Sequence, residues 1–511
     1  MESLVSIFLI VSSFLLLLGV VKLAYSVWWK PEKLQKQLLQ QGIRGSPYKL
    51  LLGDLKELGN AMKEAWSKPM NLNHQILSRV IPFDHKTVQD YGKVSFYWLA
   101  TTPRVIIQDS ELVKEVLSNI HIQKPPIPPV MRVLGMGLTS LEGEEWVQRR
   151  KLMNPAFHLE KLKGMVSAIS DSCVELIKRW EELIMSSQGS CELDVWPEFQ
   201  SFTLDVISKT AFSSSYNEGK KIFDLQKELI QLVIESISTS FIPGFRFLPT
   251  RNHRRIAYLD KEIKKALTDL ICKRQAAMER GESGRVDLLG LLLQPSDNAG
   301  RPGLSLSIQQ ATEECKTMYV AGQETTASLL TWTLIVLSMN PRWQEEARTE
   351  VFDVCGENSP EFESINRLKI VPMILNEVLR LYPSVVAVYR HTYESTKVGD
   401  FLIPSGVDLV LPSLLIHHDP ELWGEDAEEF KPVRFSGGVS KASRTRNGFV
   451  PFGAGPKTCI GQNLAMVEAK MALATILQRF SFQLSPSYTH APYTVITLQP
   501  QHGAQLILRK L

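Results

Sequence analysis

A glycine-rich loop that carries one cysteine constrains this chain more than any other feature of its sequence. Residues 451–461 read PFGAGPKTCIG, and a helical pattern over Gln462–Arg479 follows at once. Glycine and proline favour a turning backbone, so the loop is predicted to present Cys459 at the beginning of that helix. Backbone N–H groups and the helix dipole stabilise a thiolate at such a position.

Two other kinds of glycine-rich loop are excluded by single residues. A phosphate-binding P-loop needs a glycine directly before Lys-Thr, where this chain has Pro456. A dinucleotide-binding fingerprint needs a glycine in place of Thr458 and a strand before the loop. The remaining interpretation is a metal ligand, because a thiolate held in this way binds haem iron well and favours cleavage of the O–O bond.

The composition is that of an ordinary globular protein with little net charge. Of 511 residues, 44% are hydrophobic and 22% are charged, and 57 Lys and Arg against 54 Asp and Glu give a net charge of +3. This balance excludes a disordered or collagen-like chain and provides no basic excess for binding nucleic acid. The spacing of the six cysteines excludes a zinc ribbon, a CxxC redox pair and an iron–sulfur run, and indicates a reducing compartment. They are Cys173, Cys191, Cys272, Cys315, Cys355 and Cys459.

The N-terminus has the pattern of a membrane anchor. Leu4–Val21 contains no charged residue and, extended to Trp29, is long enough to cross the hydrocarbon core of a bilayer as a helix. Lysines follow this stretch and only Glu2 precedes it, so the body of the chain is expected on the cytosolic side. The alternative is a cleaved signal peptide, which the acidic start disfavours. We predict an anchor over residues 1–29, a linker over 30–50 and one catalytic domain over 51–511.

The rest of the chain is predicted to be mainly α with small β-sheets, an α+β fold. The helix Ser307–Asn340 begins with a capping box of Ser307 and Gln310 and ends before Pro341. Its apolar residues lie on several faces, which predicts that it crosses the middle of the domain. The other predicted helices are Lys161–Ser186, Gly219–Ser238, His253–Arg280, Pro341–Val354, Pro372–Tyr382 and Gln462–Arg479. The predicted strands are Val94–Leu99, Arg104–Gln108, Thr396–Ile403, Val407–Leu411, Ser481–Leu484 and Gln501–Leu508.

Five motifs stand in the order that one protein family shows. The loop 451–461 has the pattern F-x-x-G-x-(Arg/His/Lys)-x-C-x-G and resembles the haem-thiolate signature of cytochromes P-450. The other four motifs look like elements of the same family: Trp146 with Arg150, AGQETT at 321–326, Glu377 with Arg380, and PVRF at 432–435. Further runs, such as NPAFH at 154–158, resemble the plant group that includes secologanin synthase, whose members act on terpenoids.

The resemblance implies a haem b cofactor with Cys459 as its axial iron ligand. It also places two loop residues against the cofactor, Phe452 and Gly461. It assigns the haem propionates to four side chains: Trp146, Arg150, Arg390 and Lys457. Arginine suits this task because its guanidinium binds a carboxylate with two hydrogen bonds, so Lys457 is expected to make a looser contact than the arginine more common at its position.

The same resemblance gives Glu324 and Thr325 the chemical role. Splitting O₂ needs protons, and an acid and an alcohol at neighbouring helical positions relay them through water. Glu377 and Arg380 lie on one helix face and would join Arg434 in a buried network that supports the cysteine loop. The alternatives left open are a solvated acid at position 324 and a threonine at 325 that only bonds its own helix.

The segment Ile122–Leu138 is predicted to form part of the substrate pocket. It lies just before the motif that begins at Trp146, and its prolines stiffen a loop that belongs to no sheet. Arg132 stands there among apolar residues, so it would favour a substrate with a carboxylate. The alternative is that Arg132 points to solvent or to a propionate.

Together these features predict a membrane-bound haem-thiolate monooxygenase that inserts one oxygen atom of O₂ into a hydrophobic plant terpenoid, of the iridoid, triterpenoid or gibberellin-like type. The resemblance implies a single-pass protein of the endoplasmic reticulum membrane with a cytosolic catalytic domain. A separate reductase would supply electrons from NADPH, because the chain has no flavin or nicotinamide motif. The alternatives are a haem-thiolate isomerase or dehydratase that does not use O₂ and a non-catalytic haem-binding protein; the intact Glu324–Thr325 pair disfavours both.

Two clusters of charged or titratable residues complete the analysis. Basic residues near the cysteine loop predict a docking surface for an acidic reductase. They are Lys441, Arg444, Arg446, Lys457 and Lys470. The run His417-His418-Asp419 could suggest a metal site, but it precedes Pro420 in a predicted turn and we interpret it as structural.

Overall fold

The computed structural model describes residues 2–187, 189–212, 214, 216–240, 250–281, 287–293 and 306–511, without the side chains of residues 2, 3, 238–240 and 291. Helices prevail over short strands, so the predicted α+β class is confirmed. The helices are α1 Glu2–Ala24, α2 Lys30–Gln40, α3 Leu55–Ser67, α4 Leu77–Val80, α5 Pro82–Tyr91, α6 Ser110–Ser118, α7 Gly143–Met153, α8 Leu159–Ser186, α9 Val195–Phe212, α10 Tyr216–Ser240, α11 Arg251–Glu279, α12 Leu288–Leu293, α13 Ile308–Met339, α14 Pro341–Cys355, α15 Phe362–Ile365, α16 Ile370–Leu381, α17 Ser413–His417, α18 Pro420–Trp423 and α19 Gln462–Arg479. The strands are β1 Arg44–Gly45, β2 Val94–Leu99, β3 Thr102–Ile107, β4 Ile122–Gln123, β5 Ser190–Asp194, β6 Val388–Thr392, β7 Thr396–Val398, β8 Phe401–Ile403, β9 Asp408–Leu411, β10 Phe480–Leu484, β11 Pro492–Thr494, β12 Leu498–Pro500 and β13 Gln505–Lys510.

The N-terminal helix has the length and exposure of a membrane anchor. α1 continues through a π-helical turn over Tyr25–Trp29 into α2. By length and composition, the stretch Leu4–Gln40 is the one helix in the described residues that could cross a membrane. Its leucine, isoleucine and phenylalanine side chains are exposed along Leu4–Val21. A helix that leaves its apolar side chains uncovered in this way fits the predicted anchor.

The range 30–50, predicted as a linker, contains a helix and a short strand. α2 occupies the first part of this range and buries Pro31, Leu34 and Leu38. β1 occupies a later part and pairs in parallel with β2. The buried residues recur at helical spacing, so α2 is amphipathic and packs as an ordinary surface helix.

The chain divides into two compact units, and the first comprises residues 1–69, 75–125 and 387–416. It is built around a six-stranded sheet with the order β1-β2-β3-β9-β6-β4. β2 and β3 form an antiparallel hairpin, β9 runs parallel to β3, and β6 runs antiparallel to β9. Strands β7 and β8 pair as a separate hairpin.

The second unit comprises residues 70–74, 126–386 and 417–511 and contains the long helix α13. The capping box of Ser307 and Gln310 is formed, and the helix crosses the apolar core as predicted. Tyr319 on α13 stacks on Phe212 of α9 with ring centroids 4.3 Å apart. The unit also holds the sheet β10-β13-β5 and the hairpin β11–β12 near the C-terminus. These contacts fix α13 as the axis on which the candidate site is arranged.

Candidate active site

One face of α13 stays accessible although most of the helix is buried. Ala321 is exposed in the middle of this core helix, and its partly accessible neighbours recur at helical spacing on the same side. This accessible face consists of Glu313, Thr317, Val320, Ala321, Glu324 and Thr325. A core helix with one uncovered stripe lines a space in which a ligand can bind.

The cysteine loop has the backbone that its glycines predict. Gly453 and Gly455 have φ angles of 71° and 69°, in the left-handed region that favours glycine. The chain then turns back on itself, because the Cys459 N–H donates to the carbonyl oxygen of Phe452 at 2.9 Å. Gly461 ends the loop directly before the first residue of α19. The loop therefore presents Cys459 at a helix N-terminus, as predicted.

Three groups around the Cys459 thiol favour the thiolate, but the pKa of the thiol is raised overall because desolvation outweighs them. The surface of Cys459 is exposed, although the protein around it raises the pKa of the thiol by desolvation. The backbone N–H groups of Gly461 and Gln462 and the positive charge of Arg150 act in the opposite direction and lower that pKa. The buried Cys173 differs, since desolvation raises the pKa of its thiol to about 12.

Two of the predicted propionate ligands lie beside this loop. Arg150 donates from Nη1 to the carbonyl oxygen of Thr458 at 2.8 Å, which fastens α7 to the loop. Lys457 lies 5.8 Å from the centre of the Trp146 ring and forms an ion pair with Glu142. Sequence reasoning missed Glu142, which carries no motif and precedes α7.

Arg390 lies in the other unit, on β6. It is buried, and its Nη1 donates to the carbonyl oxygen of Tyr389 at 2.9 Å. The assignment of Arg390 to a propionate stays a prediction.

Glu377 and Arg380 form a fully buried ion pair on α16. The guanidinium donates from Nε and Nη2 to the two carboxylate oxygens at 2.9 and 2.8 Å. Its remaining hydrogen bonds go to the carbonyl oxygens of His417, Ala427 and Glu429. Each N–H group of Arg380 thus has an acceptor, which is the condition for burying a guanidinium without a large penalty.

Arg434 completes the predicted network from outside the helix. Its Nε lies 3.4 Å from a Glu377 oxygen, and its Nη2 lies 2.7 Å from Asp426. Hydrogen bonds with Lys431 and Arg434 lower the pKa of Asp426 to about 2. The three residues predicted as structural support therefore meet in one network.

His417 connects this network to the cysteine loop. Its carbonyl oxygen accepts from Arg380, and its ring Nε2 accepts from the Val450 N–H at 2.9 Å. Burial lowers the pKa of His417 to about 3, so the ring is neutral and can accept that hydrogen bond. The Glu428 carboxylate accepts from the His418 Nδ1 at 2.9 Å. No group of three or more potential metal ligands occurs within the described residues.

Glu324 is held by neutral side chains and not by a cation. Gln200 donates to one carboxylate oxygen at 3.3 Å, while Thr497 and Gln499 donate to the other at 3.3 and 3.2 Å. Burial raises the pKa of Glu324 above its ordinary value of 4.5 against the opposing effect of these hydrogen bonds. An acid in such surroundings can hold a proton nearer to neutral pH.

Thr325 donates from its hydroxyl to the carbonyl oxygen of Ala321, one turn earlier, at 2.6 Å. This is the helix-bonded arrangement that the sequence left open. Its own carbonyl oxygen accepts from the Ser384 hydroxyl at 2.8 Å, a partner from outside the helix. Side-chain hydrogen bonds to helix carbonyls are a recognised cause of local helix distortion.

A short strap over residues 135–138 covers the N-terminal part of the accessible face of α13. Glu313 accepts from the Met136 N–H at 2.8 Å, and Glu314 accepts from the Leu138 N–H at 3.0 Å. A Cβ at Gly137 would approach the Thr317 hydroxyl to 2.6 Å, so glycine allows this close contact. The strap belongs to the segment predicted to line the substrate pocket, but its two acidic anchors were not predicted.

Arg132 lies in a 3-10 turn over Pro129–Leu134 and its side chain is exposed. Its neighbours Val130, Met131, Val133 and Leu134 pack against the hydrophobic core of the second unit. This geometry corresponds to the solvent-facing alternative and leaves a substrate contact for Arg132 as a prediction.

A mainly helical fold around a loop that presents a thiolate defines a haem-thiolate enzyme. Comparison with known proteins gives the same answer. The family model described as Cytochrome P-450 matches residues 66–507. Cytochrome P-450 CYP72A616 of Paris polyphylla is 51% identical, over 95% of this chain and 95% of its own length. The 7-deoxyloganic acid hydroxylase of Catharanthus roseus is 46% identical over 99% of each chain. The chain belongs to the cytochrome P-450 family and is a monooxygenase, and its predicted relation to this plant group is confirmed.

Enzymes of this family bind haem through a cysteine thiolate, and the residues present fit that cofactor. The Cys459 thiol is accessible and receives thiolate-stabilising N–H groups. Arg150 and Lys457 bring two positive charges to the same loop, which suits the negative propionates.

Proposed function

We propose that the protein holds haem b through Cys459 and inserts one atom of O₂ into a hydrophobic plant terpenoid. When bound, the haem supplies the redox chemistry on O₂. The observation that carries the proposal is the exposed thiol with three thiolate-stabilising groups around it, from Gly461, Gln462 and Arg150. The chain's own residues bind and orient the cofactor, and Glu324 and Thr325 are the proposed proton relay beside the accessible face of α13.

The substrate class is proposed from the relatives. One of them is named for hydroxylating 7-deoxyloganic acid, a carboxylic acid, and its similarity covers nearly the whole of this chain. The test is a panel of iridoid, triterpenoid and gibberellin-like compounds with NADPH, a reductase and product mass spectrometry. Absence of any oxygenated product from the whole panel would contradict the terpenoid proposal.

Arg132 is the proposed contact for a substrate carboxylate. The test compares an acid with its methyl ester in the wild type and in Arg132→Leu, with the exposed Arg342→Leu as control. Loss of a charge pair of about 1.4 kcal/mol would lower kcat/KM for the acid about tenfold and leave the ester unchanged. Equal effects on both compounds would make Arg132 an ordinary surface residue.

The proposed redox partner is a separate NADPH-dependent reductase that docks on basic residues near the cysteine loop. Lys441, Arg444 and Arg446 are exposed and available to steer an acidic partner. Lys457 is engaged by Glu142, and burial lowers the pKa of Lys470, so both are weaker candidates than the sequence suggested.

Charge reversal tests this surface. Arg444→Glu with Arg446→Glu should slow electron transfer at low salt and weaken its salt dependence. Lys397→Glu, at an exposed lysine in the other unit, is the control. Unchanged reduction kinetics at low salt in the double variant would contradict the docking surface.

We further propose that α1 is a single-pass anchor in the endoplasmic reticulum membrane with a cytosolic catalytic domain. The support is the exposed apolar surface of the N-terminal helix and the lysines that follow it. Protease protection of tagged protein in microsomes tests this orientation: cleavage of the body and protection of the N-terminus are expected, and the reverse pattern would contradict it.

A further inference from the structure

Two separate elements supply the three donors that hold the Glu324 carboxylate. Gln200 comes from α9, whereas Thr497 and Gln499 come from the C-terminal hairpin formed by β11 and β12. Gln499 also donates to the Thr497 hydroxyl at 3.1 Å, which links the two hairpin donors to each other. One carboxylate oxygen thus depends on α9 and the other on the hairpin.

The groups around Glu324 leave its proton exchangeable. The charged group that acts on it is Lys227, an exposed residue of α10, and the titratable Tyr493 of β11 also lies near. Glu377, by contrast, contacts the buried guanidinium of Arg380, whose Nε donates to it at 2.9 Å. A positive charge in contact favours the ionised form of a carboxyl group. Amide and hydroxyl donors hold a carboxyl group in place without fixing its charge to the same degree.

The hairpin is fastened to the same helix that carries Glu324. The carbonyl oxygen of Leu498 accepts from the Ser328 hydroxyl at 2.6 Å and from the Trp332 indole N–H at 3.1 Å. Both donors lie on α13, and Ser328 is one turn beyond Glu324. Thr497 and Gln499 flank Leu498 directly, so this attachment fixes their distance from the carboxylate.

The tip of the hairpin is apolar and uncovered. Val495 and Ile496 are 42% and 41% exposed, between the strand ends Thr494 and Leu498, which pair with each other. Such residues are available to contact a hydrophobic ligand. Ile496 at the tip is followed directly by Thr497, which donates to Glu324. A ligand that contacts the tip would therefore lie next to a residue that holds this acid.

We propose that Thr497 and Gln499 are positioning residues for Glu324, and that the C-terminal hairpin holds this acid at the accessible face of α13. The inference rests on the proposed role of Glu324 in proton delivery, but it concerns a geometry that is measurable without turnover. The hairpin belongs to the last part of the chain, and none of the five sequence motifs includes it.

The test uses the full-length holoprotein and infrared spectroscopy of the Glu324 carboxyl group. The band of the protonated acid is isolated as the difference between wild type and Glu324→Gln and is followed with pH. In Gln499→Leu the ionised form of Glu324 loses a hydrogen bond. The midpoint, which is the pH at which half of the protonated Glu324 band remains, should therefore rise by about one pH unit for a lost contact of about 1.4 kcal/mol. Gln483→Leu, at an exposed glutamine of β10, is the matched control and should leave the midpoint unchanged.

Thr497→Val provides a second variant that keeps the shape of the side chain and should shift the midpoint in the same direction. Gln499→Asn, which retains an amide, should recover part of the shift. A second measurement is the fraction of NADPH electrons released as hydrogen peroxide with added reductase, which should rise in Gln499→Leu.

An unchanged midpoint in both Gln499→Leu and Thr497→Val would overturn the positioning role. Failure of the proposed function is a different result: Glu324→Gln would then leave the peroxide fraction and product formation unchanged. The infrared midpoint still responds to Gln499 in that case if the hairpin holds the acid.

Discussion

Glu377 and Glu324 are two glutamates in the second unit, and their carboxylates have different kinds of partner. Glu377 is fully buried, whereas Glu324 is partly accessible. Glu377 contacts two guanidiniums, from Arg380 and Arg434, and also accepts from the Lys431 N–H. Glu324 contacts two amides and one hydroxyl, and burial raises its pKa. The carboxylate of Glu377 is therefore paired with positive charges, whereas the contacts of Glu324 are neutral and burial favours its protonated form.

This difference separates structural support from chemistry. The Glu377 network is held by ion pairs and reaches the cysteine loop through His417. A proton relay instead needs a group that can gain and lose a proton, and the contacts of Glu324 are with neutral amide and hydroxyl groups. Residue type alone does not distinguish the two glutamates, so the burial and the partners of each carboxylate decide its role.

The largest expected effect is on folding when Glu377 is removed. Glu377→Ala leaves the buried Arg380 without its carboxylate, which should lower the free energy of unfolding by about 3–5 kcal/mol and impair haem retention. Chemical unfolding and haem content check this outcome. Glu363→Ala, at an exposed glutamate, should change stability by less than about 0.5 kcal/mol. If Glu377→Ala were as stable as Glu363→Ala, the structural role of Glu377 would be contradicted.

Glu324→Gln should show the opposite pattern. The variant keeps shape and hydrogen-bonding capacity but cannot donate the proton, so product formation should fall about 100-fold. Thermal stability and haem content should stay at the wild-type level. Assays with an identified substrate, beside thermal unfolding, check this prediction. A loss of stability comparable to that of Glu377→Ala would show that Glu324 is structural as well.

A smaller effect is expected from Arg434→Lys. Lysine keeps the positive charge but lacks the guanidinium fork, which donates to the carbonyl oxygens of Trp423 and Asp426 while it lies against Glu377. We expect a loss of about 1–2 kcal/mol in the free energy of unfolding, with haem retained. Chemical unfolding measures it, and a loss as large as that of Glu377→Ala would mean that Arg434, and not Arg380, is the main partner.

The smallest effect is in the pH dependence of the free energy of unfolding. The contributions of Asp426 and Glu324 to this free energy should change in opposite directions as pH rises. Asp426 has a pKa lowered to about 2 by hydrogen bonds with Lys431 and Arg434, so its contribution is present above pH 3.8 and is lost as pH falls towards 2. Glu324 has a raised pKa, so its contribution is present below 4.5 and is lost as pH rises through the folded value. In a plot of the free energy of unfolding against pH, Asp426→Asn should flatten the curve below pH 3.8. Glu324→Gln should flatten the same curve above pH 4.5. Equal slopes in both variants would contradict the assignment.

Local spacing made much of the fold and part of the site predictable. Glu377 and Arg380 are three residues apart on one helix, so helical geometry alone brings their side chains together. The glycines and prolines around Cys459 limit the loop to a turning backbone in the same way. The ends of α13 followed from its capping box and from Pro341.

Partners that are distant in sequence were not predictable in this way. Gln499 contacts Glu324 across 175 residues, Glu142 pairs with Lys457 across 315, and neither carries a motif. The helix α2 was not predicted, because it follows directly on the apolar anchor and its three buried residues form only a short helical pattern. Such contacts depend on how elements pack, and no local pattern encodes that packing.

The most direct test concerns the axial ligand. Cys459→Ala, purified with haem present and compared with Cys272→Ala at another exposed cysteine, is measured by the absorption spectrum of the reduced carbon monoxide complex. If Cys459 is the thiolate ligand, its variant loses the thiolate-type Soret band and Cys272→Ala keeps it. Survival of that band in Cys459→Ala would contradict the assignment of the haem site.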